Sequence, residues 1–75
     1  MKLIEFLSLT RTEFPSGLNY ITQDKTGYIY ASIDKPVLSG DTWLSKRDVQ
    51  KVGHAELCED WSETVVSRKD VFLFL

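Results

Sequence analysis

The sequence predicts an α+β fold, a small antiparallel sheet of three to four strands with one or two short helices. Three observations carry this expectation. The stretch "NYITQDKTGYIYAS" reads as a β-hairpin, the opening "KLIEFLSL" is spaced like a helix, and the remainder is punctuated by turn and capping signals. With 75 residues, the chain is expected to form a single small globular domain over 1–75. A chain of this size buries only roughly 60% of the surface it exposes unfolded, which leaves nothing for a second core.

Each element follows from local chemistry. In "KLIEFLSL", Lys2, Glu5 and Ser8 recur every three residues among Leu3, Ile4, Phe6, Leu7 and Leu9, which predicts a helix. Pro15, Ser16 and Gly17 then make a turn, since proline has no amide hydrogen for a ladder and glycine accepts positive φ. In "DKTG", Lys25 and Thr26 form a type I turn and Gly27 takes the left-handed bulge position. That turn sets a register in which Asp24 faces Tyr28, Gln23 faces Ile29, Thr22 faces Tyr30, Ile21 faces Ala31 and Tyr20 faces Ser32. Alternation puts Tyr20, Thr22, Tyr28, Tyr30 and Ser32 on one face and Ile21, Ile29, Ala31 and Ile33 on the other. The aliphatic face is the candidate for the core.

Beyond Pro36, "SGDTW" is a turn delivering Trp43, which together with Trp61 is expected to anchor the core. Ser45 to Gly53 spells a short helix, with Ser45 as cap, Asp48 three residues on, Leu44 and Val49 as a hydrophobic staple, and Gly53 as the stop. The segment 55–66 is open between a helix, which would align Leu57, Cys58, Trp61 and Val65, and a strand at its β-branched end. The apolar run "VFLFL" must be buried, as a strand of the domain's own sheet or at a homo-oligomer interface through Val71, Phe72, Leu73, Phe74 and Leu75. Its rival is a final helical turn, because Ser67 and Asp70, flanked by Val66 and Val71, also spell a capped start.

Composition narrows the function classes. Hydrophobic residues make up 43% and charged residues 27% of the chain, as in a folded globule. A formal charge of −2 exerts no general pull on phosphate backbones. Cys58 is the only cysteine, so no internal disulfide can form, and a lone thiol suits a reducing cytoplasmic setting. Glu5 interrupts the first apolar run, which argues against a signal peptide, and no run is long enough to span a membrane.

Candidate functional residues fall into three groups. Tyr20, Tyr28 and Tyr30 form an aromatic face that suits a protein partner, although half-buried strand tyrosines are also commonplace. Glu56, Glu59, Asp60 and Glu63 would form an acidic ridge on a helix, able to meet a basic partner or simply solvent. Lys46, Arg47 and Lys51 would form a small basic cluster on the predicted 45–53 helix. With the tyrosines they define an alternative, weak binding of single-stranded nucleic acid by stacking. Nucleic acid is the less expected partner, since Lys25 and Lys35 beside the hairpin are offset by Asp24 and Asp34. His54 and Cys58 could share a helical face, but two ligands do not make a metal site. No phosphate loop, HExxH or GxSxG is present. The expectation is a protein without enzymatic activity, metal or cofactor.

The order "FPSGLNYITQDKTGYIY", Pro36, Trp43, then Trp61 followed by "SETVVSRKDV" resembles small uncharacterised accessory proteins of tailed bacteriophages and prophages. The resemblance covers about the last four fifths of the chain and leaves the segment to Glu13 outside. It implies a phage accessory protein in the infected or lysogenic bacterial cytoplasm, and by analogy one that binds and modulates a host protein. It supplies no site residue. A self-associating structural protein is the remaining alternative.

Overall fold

The structure, a computed structural model, describes residues 1–72. It has the α+β architecture. Helix α1 (Leu3–Thr10) precedes strands β1 (Tyr20–Gln23), β2 (Tyr28–Ser32), β3 (Val37–Ser39), β4 (Thr42–Leu44), β5 (Val49–His54) and β6 (Val66–Ser67), and helix α2 (Arg68–Phe72) follows. Four strands form an antiparallel sheet in the order β5-β2-β1-β6, and β3 and β4 form a separate two-stranded ribbon.

The first hairpin has the register read from its turn, with Tyr20 opposite Ser32, Ile21 opposite Ala31, Thr22 opposite Tyr30 and Gln23 opposite Ile29. Gly27 takes φ +93, and its N–H donates to Asp24 O at 2.9 Å. A side chain there would meet Ala55 O at 2.5 Å, so only glycine fits. The aliphatic face is the buried one. Leu3 and Leu7 of α1 close over Ile21, Ile29 and Ala31, with Cys58 and Val66 completing the core. Leu3 and Leu7 lie one helical turn apart and therefore share a face.

Both ends of α1 are satisfied. Lys2 has no side-chain acceptor to serve as a cap, and Asp60 supplies one from across the molecule, its Oδ1 accepting from Leu3 N at 2.8 Å. At the other end Arg11 takes φ 52 while Arg11 N and Thr12 N donate to Ser8 O and Leu7 O, a Schellman closure.

Three expectations need correction, and one choice left open is decided. Ser45–Gly53 is not a helix: the chain bends at 45–48 and then runs as β5 along β2. Its capping signals are local and weak, whereas pairing with β2 satisfies a full row of backbone groups. Strand β5 carries a bulge, because Ile29 faces Gly53 and Tyr30 faces Lys51, leaving Val52 as the extra residue. Trp43 and Trp61 are half-buried and lie outside the central cluster. An indole N–H needs an acceptor, and Trp43 Nε1 finds two, Gln23 O at the end of β1 and Trp61 O in the 55–65 turns, each at 3.0 Å. Of the two forms left open for 55–66, the helix is absent and the strand is realised only at Val66, where β6 begins after a run of turns. The "VFLFL" run does not continue the sheet at its start, since Val71 and Phe72 belong to α2. The rival start is the one observed, with Ser67 N and Oγ both donating to Asp70 Oδ2. The proposed strand or oligomer contact at Leu73, Phe74 and Leu75 lies outside the described residues.

Among the described residues no helix is long and apolar enough to cross a membrane.

Candidate functional site

The three tyrosines share a sheet face but not a platform. Tyr28 and Tyr30 are two residues apart on β2, with ring centroids 6.5 Å apart and planes tilted by 50°. The bulge in β5 keeps Lys51 and His54 on their side of the sheet, opposite Tyr30 and Tyr28 respectively. Lys51 Nζ lies 4.0 Å from the centroid of the Tyr28 ring. The His54 ring meets Tyr28 edge-on at 4.7 Å and its Nε2 is 3.0 Å from Thr26 O. Such cation–π and edge-to-face contacts contribute roughly 0.5–1.5 kcal/mol each and fix the orientation of the ring they touch.

Tyr28 nevertheless remains 38% exposed. An ordered, solvent-facing aromatic ring next to a cation is the result. Tyr20 stands apart from this group, at the far end of β1, where it lines an open cleft with Asn19, Ile33 and Lys35 on one side and Ser67 and Lys69 on the other.

The rest of the tyrosine face is covered. Asp24, on the same face by alternation, accepts from Thr42 Oγ1 at 2.8 Å and from Trp43 N at 3.0 Å, which fastens the β3–β4 ribbon to the hairpin. Thr22 and Ser32 are buried. In the ribbon itself Gly40, φ +62, occupies the first central position of a two-residue loop, where a type II′ turn takes glycine.

The acidic residues do not form a ridge. Glu56, Glu59 and Glu63 are exposed on the 55–65 turns, whereas Asp60 faces inward, bonded to Leu3 N and to Thr64 Oγ1. The basic residues do not share a helix either. Arg47 forms two 2.7 Å bonds to Asp34. That hydrogen bonding holds the Asp34 carboxyl below the usual range, with the charges of Arg47 and Lys46 acting in the same direction, and raises Arg47. Lys46 is exposed on the bend, and Lys51 alone of the three joins the tyrosines.

His54 and Cys58 are not on one face. His54 ends β5 at the surface, and Cys58 is buried with its thiol pushed up in pKa by burial first and by Asp60 second. Among the described residues no group of three or more His, Cys, Asp or Glu is gathered to hold a metal.

Gln23 was not singled out from the sequence, yet it organises the underside of this face. It is fully buried, its Oε1 accepting from Cys58 N at 2.9 Å and its Nε2 donating to Gly27 O at 3.1 Å and to Ala55 O and Glu56 O at 3.3 Å. The signal was available: alternation places this one polar side chain among Ile21, Ile29 and Ala31. Comparison with protein-family models, with curated proteins and with solved structures finds no match to this chain.

Proposed function

We propose that the chain is a small, non-enzymatic protein-interaction module whose working surface is the β2–β5 face carrying Tyr28, Tyr30, Lys51 and His54. The observation that carries this is the Tyr28 ring, held by Lys51 and His54 while 38% exposed. A ring ordered before binding loses little entropy on binding, and tyrosine is among the residue types enriched at interface hot spots. Joined to the resemblance to phage and prophage accessory proteins, the reading becomes a phage-type protein that acts on one host bacterial protein in the cytoplasm. The acidic residues are a weaker candidate surface, because Asp60 is committed to capping α1.

The test is a pull-down of the tagged chain from bacterial lysate, with and without nuclease, repeated with Tyr28→Ala and with the control pair Glu59→Lys and Glu63→Lys. One stoichiometric protein that survives nuclease, is weakened at least tenfold by Tyr28→Ala and is retained by the control pair is the expected result. Retention by Tyr28→Ala with loss in the control pair would move the surface to the acidic turns. A second reading, single-stranded nucleic acid, draws on Lys51 at the Tyr28 ring; it requires nuclease-sensitive binding that falls steeply with salt.

A further inference from the structure

The cleft at the other end of the sheet is distinct from the tyrosine cluster. Tyr20 lies on a central strand, opposite Ser32 on one side and Ser67 on the other. It therefore lies between the chain continuing past β2 and the start of α2. Ser32 and Ser67, from which these two segments leave the sheet, are two strand spacings or about 10 Å apart. The cleft, open to solvent, has a volume of about 430 Å³, within the range of small-molecule sites.

The charges lining the cleft are unbalanced. Lys35 stands on one side and Arg68 and Lys69 on the other, against the single carboxylate of Asp34. That carboxylate is already taken by the Arg47 guanidinium. Arg68 is fixed beside the cleft by bonds to Leu18 O and Pro15 O, so its charge is permanent and immobile. Among the described residues Lys35 and Lys69 form no ion pair. In a chain of net charge −2, this is a local positive pocket lined by the apolar surfaces of Tyr20 and Ile33.

We propose that this cleft binds a small organic phosphate, its phosphate held between Lys35 and Lys69 and its flat body laid on Tyr20 and Ile33. Two ammonium groups across a gap suit a compact dianion, and a tyrosine ring suits a planar heterocycle.

The experiment is an amide-resolved NMR titration of the full chain with adenosine 5′-monophosphate, inorganic phosphate and adenosine, at low ionic strength and at 150 mM salt, about the physiological value. Adenosine monophosphate is expected to shift Asn19, Tyr20, Ile33, Lys35 and Lys69. Phosphate should shift the lysine amides alone at higher concentration, and adenosine should do little. The double variant Lys35→Gln and Lys69→Gln, both at exposed positions, should weaken the nucleotide at least tenfold and leave the rest of the spectrum in place. Equal shifts from adenosine, shifts centred on Lys46 and Lys51, or undiminished affinity in the double variant would each overturn the proposal. Tyr28→Ala should leave this titration unchanged, which separates it from the protein-binding face.

Discussion

The first hairpin and the 55–65 segment solve the same problem in opposite ways. In the hairpin, β1 and β2 exchange their own backbone hydrogen bonds and need no side chain to do so. The 55–65 segment packs against the same core without regular structure, so its backbone groups find partners elsewhere. Cys58 N goes to the Gln23 side chain, Ala55 N to Gly27 O, Glu59 N to Met1 O, and Trp61 O accepts from the Trp43 indole. Irregular chain can be buried only where neighbouring elements lend it donors and acceptors. The hairpin is thus both a sheet and a socket.

The sharpest way to break this contrast is Gln23→Leu, which keeps side-chain volume but strands Cys58 N and the carbonyls of Ala55 and Glu56. Leaving such groups buried and unpaired should cost about 2–4 kcal/mol by chemical denaturation, a large share of the roughly 4–11 kcal/mol that a chain of this length holds. An unchanged midpoint would show that the segment is not held by this side chain. Next comes Gly27→Ala at the junction of the two regions, where positive φ and the Ala55 carbonyl both oppose a methyl group; a loss of about 2 kcal/mol is expected. Asp60→Ala should cost about 1–2 kcal/mol and speed hydrogen exchange at Leu3, whereas Asp60→Asn should recover part of the loss.

The smallest effect concerns Cys58. Its thiol is raised in the folded state, so the stability it contributes is complete below the unfolded thiol's titration and is lost as pH rises through the folded one. The stability of the native chain against denaturation should therefore fall more from about pH 7 to about pH 10 than that of Cys58→Ala, whichever of the two is the more stable at neutral pH. Equal pH dependence would show the thiol to be uncoupled from folding.

What was legible in the sequence was what is decided within a few residues. The Asp24–Gly27 turn dictates a register because only one alignment suits its geometry; the four predicted pairs from Tyr20–Ser32 to Gln23–Ile29 are present, and Asp24 N donates to Tyr28 O at the turn. Helix α1 was legible for the same reason, and so was the Ser67–Asp70 start of α2, although a strand was the favoured reading there. Ser45–Gly53 was misread because its helix signals are local while the edge of β2 that captures it is not. The tryptophans were read by size, whereas the requirement of the indole N–H ties Trp43 to Gln23 O at the end of β1 and to Trp61 O. Of the candidate site, the shared face of Tyr28 and Tyr30 was readable from alternation; Lys51 and His54 were not, since they reach it only through the β5 strand and its bulge.

That bulge has a bearing on how the protein behaves in crowded solution. A straight edge strand invites another chain to add to it, and repeated addition is how sheets grow into fibrils. Strand β5 lies at the sheet edge, and the unpaired Val52 interrupts its spacing while Lys51 adds a charge nearby. The irregularity that brings Lys51 to Tyr28 therefore also makes this edge of the sheet a poor template for an added strand.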